Sequence, residues 1–334
     1  MSDVRLQGAR VRAAVRWAVC RTVCRTVCWA VILMGIAAGP GGQAARAQRA
    51  LPPAPHLPPA PRLPAAPRPR LTSTPPMPTI VAADFGLIGQ LMQGGWARGQ
   101  APAGTHALTV DGVPVPLTAD GRFFLGFDRD AATSLQLVAE FGSARAAAQR
   151  LTIAPRAWQI EHIAIGPRPG AEPSAEYERR RAPELARINA ARRINADSAG
   201  WAQSFIWPVK GRISGRFGSQ RIYRGTPGAY HSGLDIATGA SGTPFVAPAD
   251  GVVVLAAADA FTLEGHLLMI DHGMGLNSAF LHCSMLAVHE GERVHQGQFL
   301  GRIGMTGRAT GPHLHWSIKW RDSRLDPLLF LGPM

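Results

Sequence analysis

Between about Ile80 and Ile165 the chain sets short apolar runs between turn signals. Ala107-Leu-Thr-Val110 ends at Asp111-Gly112, Arg122-Phe-Phe-Leu125 follows Asp120-Gly121, and further runs occupy Leu135–Phe141 and Arg150–Ile153. Aspartate-glycine pairs accept the positive φ of tight hairpins, so the runs beside them read as paired strands. Residues 80–166 are therefore expected to form a small antiparallel β-sandwich, with an immunoglobulin-like arrangement as one version of it. Pro173 to Ala199 changes to an Ala-, Arg- and Glu-rich texture, which predicts a linking helix over 173–199. Pro183 suits a first helical turn and Glu184 favours an N-terminus. Leu185, Ile188 and Ile194 would supply an apolar stripe; ordinary packing is its default reading and a regulatory lid the minor one. From about Phe205 to Met334 short strands return, among them Val252–Leu255, Leu267–Ile270 and Asn277–Leu281, broken by Gly265, Gly273 and Gly275. The expected fold class is mainly β.

Two N-terminal segments fall outside this pattern. Residues 1–47 place Arg5, Arg10, Arg12, Arg16, Arg21 and Arg25 before an apolar run from Val27 to Ala38, then end in Ala45-Arg-Ala47. A basic region, an apolar run and a small-x-small site make up a secretory signal, with cleavage expected after Ala47. The apolar run is short against the ~20 residues a membrane span needs, so no stable span is expected once the signal is removed. Leu51 to Pro78 repeats Leu-Pro-x-Ala-Pro units, and residues 48–79 read as a Pro-rich linker in polyproline II conformation. The formal net charge of +13 shrinks accordingly, because residues 1–47 hold seven Arg and one Asp. Scattered arginines without interleaved aromatics argue against nucleic acid as a partner. Cys20, Cys24 and Cys28 leave with the signal, so Cys283 has no intramolecular partner and reads as a small buried hydrophobe.

The candidate chemistry lies between Tyr230 and Trp316. His231-Ser-Gly-Leu-Asp235 opens the stretch, Phe280-Leu-His282 follows, and Gly311-Pro-His313-Leu-His315-Trp closes it. Side chains two or four apart on a strand share a face. If both brackets are extended, His231 shares a face with Asp235 and His313 with His315, so that with His282 four imidazoles and a carboxylate are available to meet in one groove. Two imidazoles and a carboxylate suit Zn²⁺ with a fourth position open, although imidazole also accepts copper, nickel and iron. No His-Glu-x-x-His helix motif occurs, so proton transfer would fall to the remaining histidines. Neighbours on a strand face opposite ways, which makes His282–Cys283 a poor nucleophilic pair. His106 and His162 are expected to be surface or structural; His266, His289 and His295 fall in turns or strand ends.

In this order, with Trp207-Pro-Val, Thr243–Gly251, Ile270-Asp-His-Gly273, Gly297–Gly301 and Gly304–Gly311 around it, the stretch resembles the lysostaphin/LytM-type zinc endopeptidases of peptidoglycan. The resemblance covers about residues 205–330. It implies an antiparallel β catalytic domain with an open groove, over 205–334. It also implies His231, Asp235 and His315 as zinc ligands, His282 and His313 as the catalytic pair, and a structural His272. Either Tyr223 or Tyr230 is available to assist an oxyanion. The implied activity is hydrolysis of stem or crosslink peptide bonds by metal-activated water, in an exported protein of the periplasm or cell envelope. Peptidoglycan and other cell-wall enzymes are the implied partners. A second reading is a non-catalytic domain of this type that activates cell-wall amidases.

Overall fold

In the computed structural model the described residues are 79–142, 145–164 and 174–334, all within one compact unit, Leu71–Met334. The signal-like segment and almost all of the Pro-rich linker lie outside them. Among the described residues no helix is long and apolar enough to cross a membrane.

The first strands follow from the turn chemistry. Asp111 and Gly112 both have positive φ (46° and 78°), the conformation a two-residue hairpin needs, and they join Ala107–Val110 to Val113–Pro114. A five-stranded sheet follows the order Thr79–Ala82, Arg145–Thr152, Ser134–Glu140, Ala107–Val110, Val113–Pro114. Ile88–Gly89, Trp96–Gln100 and Arg122–Gly126 make a second, three-stranded sheet. Phe85, Leu108, Phe123, Leu125, Leu137 and Ile153 are buried in this sandwich-like region. Arg145–Thr152 starts well before the run at Arg150, because Ala146 and Ala147 are small enough to be buried without reading as a hydrophobic run.

The larger sheet has ten strands and is antiparallel throughout. Its main path is Arg212–Gly215, Leu234–Ala237, Leu314–Trp320, Leu276–Leu286, His266–Asp271, Gly251–Ala256, Arg293–Val294. Leu314, Trp316, Ile318 and Trp320 point from one face into a core that runs without interruption into the sandwich. Trp96 stacks on Phe124 and Phe330 (centroids 6.0 and 5.2 Å apart) and its indole N–H donates to the Leu329 carbonyl at 2.9 Å. A third, small sheet ties the regions again by pairing Ile160–Ile163 in parallel with Gln220–Tyr223.

The opposite face of the large sheet carries the single α-helix among the described residues, Ala175–Arg192. Ser174 caps it by accepting from the Tyr177 N–H, and Glu176 and Glu178 sit in the first turn. The start is thus eight residues before Pro183, which occupies the helix interior instead of its first turn. The expected apolar stripe also differs. Ile188 is buried with Ala191, but Leu185 and Ile194 are exposed, and the buried neighbour one turn earlier is Glu184. Its carboxylate accepts from the Thr262 N–H (2.7 Å), the Thr262 hydroxyl (2.6 Å) and Arg181 (3.2 Å). Polar anchoring of the helix to the 261–265 turn replaces part of the apolar packing.

Candidate metal centre

Two adjacent strands supply Asp235 and His315, which are paired across the sheet, and a loop supplies His231. His231 precedes Leu234–Ala237 and is not in extended pairing, so strand alternation does not bring it to Asp235. The intervening Gly233 lets the loop fold close: a Cβ there would stand 2.5 Å from the Trp316 carbonyl oxygen and 2.7 Å from His315 Nε2. Gly215 does the same from the other side, since a Cβ would overlap the Asp235 carboxylate. The loop is then locked by the Gly218 N–H donating to the His231 carbonyl (2.9 Å) and the His231 N–H to Ser219 (2.8 Å).

The result is a triangle of ligand atoms. His231 Nε2 lies 3.1 Å from Asp235 Oδ1 and 3.1 Å from His315 Nδ1, and His315 Nδ1 lies 2.8 Å from Asp235 Oδ1. Donors held about 2.0–2.1 Å from one ion at tetrahedral angles stand roughly 3.3 Å apart, so the triangle fits a zinc-sized cation with a fourth position free. His231 Nδ1–H donates to the Arg216 carbonyl at 3.1 Å, which leaves Nε2 with its lone pair facing the triangle. Burial works against the Asp235 carboxylate, yet hydrogen bonds and charge from His231 and His315 hold it well below the usual carboxylate range. Burial likewise opposes protonation of His231, but Asp235 outweighs it and raises that imidazole; at His315 burial wins and lowers it.

His282 and His313 complete the rim. His282 Nδ1–H donates to the Thr306 carbonyl and His313 Nδ1–H to that of Gly311, each at 2.8 Å. A carbonyl can only accept, so both rings keep a basic Nε2 free. The two ring centroids are 5.0 Å apart, and His313 Nε2 is 3.7 Å from Asp235 Oδ1. Burial, followed by the neighbouring histidines, lowers the pKa of His282 and so favours its neutral, basic form. His282 sits at φ 64° in a bulge where the register slips between His266 and Leu268, and its N–H donates to the Glu264 carbonyl. Behind it Gly265 and Gly307 press backbone against backbone, which allows the Thr306 carbonyl to reach the ring.

Sequence reasoning missed Arg216, Thr306, Gly215 and Gly233 as supports. Thr306 lay within a quoted motif; Arg216 acts through its carbonyl, which no side-chain pattern reveals. Cys283 is fully buried, and burial pushes its thiol up to about 12, so it is no nucleophile. His272 is buried between the Asp250 carbonyl (2.7 Å) and the Ser278 hydroxyl (2.8 Å). Tyr230 turns to Phe217, Arg129 and Arg324, with its hydroxyl 3.5 Å from Arg324 Nη1.

An antiparallel sheet presents this candidate donor set, and residues 229–327 match peptidase family M23. The chain carries an M23 peptidase domain. The peptidoglycan DD-endopeptidase ShyA of Vibrio cholerae is 36% identical over 142 residues, 42% of this chain and 32% of that protein. A lipoprotein NlpD/LppB homolog of Pseudomonas aeruginosa is 36% identical over 132 residues, 40% of each. The chain thus spans well under half the length of these two relatives. A crystal structure assigned to peptidase M23 from Pseudomonas aeruginosa matches 73% of this chain and 96% of its own, at 28% identity and a TM-score of 0.56. That likeness reaches well beyond residues 229–327.

Proposed function

We propose that this chain is an exported zinc endopeptidase that hydrolyses peptide bonds in the stems or crosslinks of peptidoglycan. The observation that carries the reading is the convergence of His231, Asp235 and His315 on one point beside two further imidazoles whose Nε2 atoms are free. In this reading His231 Nε2, Asp235 Oδ1 and His315 Nδ1 hold the ion. When bound, zinc supplies Lewis acidity towards a carbonyl and makes water acidic near neutral pH. His282 and His313 then work as proton carriers: a neutral Nε2 accepts a proton from water and, as imidazolium, returns one to the leaving amine. The Thr306 and Gly311 carbonyls keep both rings oriented through the exchange. Peptidoglycan as substrate draws on the relatives named as DD-endopeptidases, and export on the basic, apolar and Ala-x-Ala order of residues 1–47.

The competing reading, a non-catalytic activator of cell-wall amidases, draws on relatives such as the murein hydrolase activator NlpD of Salmonella dublin. An activator has no use for three convergent ligand atoms and two oriented bases, which favours the enzyme. Purified peptidoglycan incubated with the full chain and analysed by mass spectrometry tests this. The enzyme should release new peptide termini, and a zinc chelator should abolish them. Intact peptidoglycan in both arms, together with faster digestion by an added amidase, would establish the activator instead.

A further inference from the structure

The groove face of Leu314–Trp320 carries more than the histidines. His313, His315, Ser317 and Lys319 alternate with the core-facing Leu314, Trp316, Ile318 and Trp320. At about 3.3 Å per residue Lys319 stands ~13 Å along the strand from His315. Arg324 lies directly across from Lys319 in the register with Ser323–Leu325, and Arg192 reaches the same place from the last helical turn. All three line one cleft of about 350 Å³, between helix and sheet, that also contains His282 and His315. Leu267, Met269 and Ala279 form an apolar floor between its two ends.

This cationic end is poorly neutralised. Among the described residues, neither Arg192 nor Arg324 has a carboxylate within ion-pair distance, and the Arg192 Nε is buried without a hydrogen-bond partner. Lys319 has Asp322 at 3.8 Å, on a fully exposed side chain that water screens. Burial and then the charge of Arg324 lower the pKa of Arg192, and burial and then the charges of Arg192 and Arg324 lower that of Lys319, against opposing effects of Glu264, Asp322 and Asp128. Three like charges gathered in a half-buried cleft repel unless an anion joins them, and a guanidinium with an unused donor is suited to a carboxylate.

We propose that Arg192, Lys319 and Arg324 form a carboxylate-binding subsite that anchors an acidic peptide in the cleft running to His282 and His315. The proposal rests on the peptidase reading and adds to it a substrate class: a peptide carrying a free carboxylate within about four extended residues of the bond cut. The apolar floor accommodates aliphatic side chains between anchor and scissile bond.

The test is calorimetric binding to the full-length His282→Ala protein, loaded with zinc, of a peptidoglycan stem peptide with free carboxylates and of the same peptide with those carboxylates converted to carboxamides. The acid form should bind about tenfold or more tightly than the amide. Lys319→Gln and Arg192→Gln should erase that preference while leaving affinity for the amide unchanged, which also reports an intact fold. Lys319→Arg should retain the preference. Equal affinity for both peptides, or a preference surviving the Lys319→Gln/Arg192→Gln double variant, overturns the subsite. Hydrolysis by the unmodified chain is assayed in parallel. Cleavage without acid preference sinks the subsite alone, whereas acid preference without cleavage leaves the subsite standing and sinks the peptidase reading.

Discussion

His313 and His315 are separated by one residue and both face the groove, yet their surroundings differ. His315 Nδ1 touches Asp235 at 2.8 Å and His231 at 3.1 Å, inside the ligand triangle. His313 spends Nδ1 on the Gly311 carbonyl and holds Nε2 3.7 Å from Asp235, outside it. Removing a ligand weakens metal binding and activity together, because both depend on the same geometry. Removing a proton carrier spares the metal and lowers turnover, typically by about 10²–10⁴-fold. His315→Ala is therefore expected to retain little zinc, while His313→Ala and His282→Ala stay loaded but slow. Metal content and kcat measured on the same three preparations decide this; a metal-free His313→Ala beside a loaded His315→Ala would reverse the roles.

The helix Ala175–Arg192 and the bulge at His282 show elements shaped by their neighbours. Pro183 lies inside the helix, where it cannot donate to the Arg179 carbonyl and its ring crowds the preceding turn. A position so unfavourable locally survives because Glu184, next to it, is held by Thr262 and Arg181, and Arg181 pairs with both oxygens of Glu264 (2.5 and 2.7 Å). Pro183 itself is exposed. An interior proline costs about 3 kcal/mol, against a gain of about 0.4–1 kcal/mol from restricting the unfolded chain. Pro183→Ala should accordingly raise stability by roughly 2–2.6 kcal/mol in denaturant unfolding, with activity retained. A loss of stability would mean that the proline, and not the Glu184 contacts, sets the helix path.

At the scale of the whole molecule, the sandwich and the large sheet share one core, and the sandwich braces the loop that delivers His231. Trp158 packs edge-on against Phe217 (5.7 Å), and the Arg129 side chain, 7% exposed, lies against both Trp158 and Tyr230 while donating to the Gly218 carbonyl. Just beyond the end of the His266–Asp271 strand, burial holds His272 neutral, with its pKa lowered from 6.5 to about 4. Between those two values the unfolded chain takes up a proton that the native chain refuses, so acid favours unfolding. The stability held above pH 6.5 should decline by roughly 3 kcal/mol as pH falls towards 4 and change little from this group below that. Urea unfolding at pH 7, 5.5 and 4.5 on the chain and on a His272→Gln variant checks it. An equal loss in both proteins would assign the acid sensitivity elsewhere.

Residue order alone specified the mainly β class, the hairpin at Asp111-Gly112, the buried thiol of Cys283 and the five groups of the candidate centre. Each depends on local chemistry: an aspartate-glycine turn, a period of two, or a set of side chains that few other roles would require together. The convergence of those five groups was a tertiary matter. His231 arrives by a loop that only Gly215 and Gly233 allow so near, and His282 by a bulge pressed against Thr306. The long-range pairing of residues 315 and 235 is what sets the triangle, and no window of sequence contains both. The buried Glu184 and the cationic end of the cleft were equally invisible in one dimension. Their energies come from partners 78 to 132 positions away, Thr262 for Glu184 and the Lys319 and Arg324 strands for Arg192, and not from neighbours along the chain.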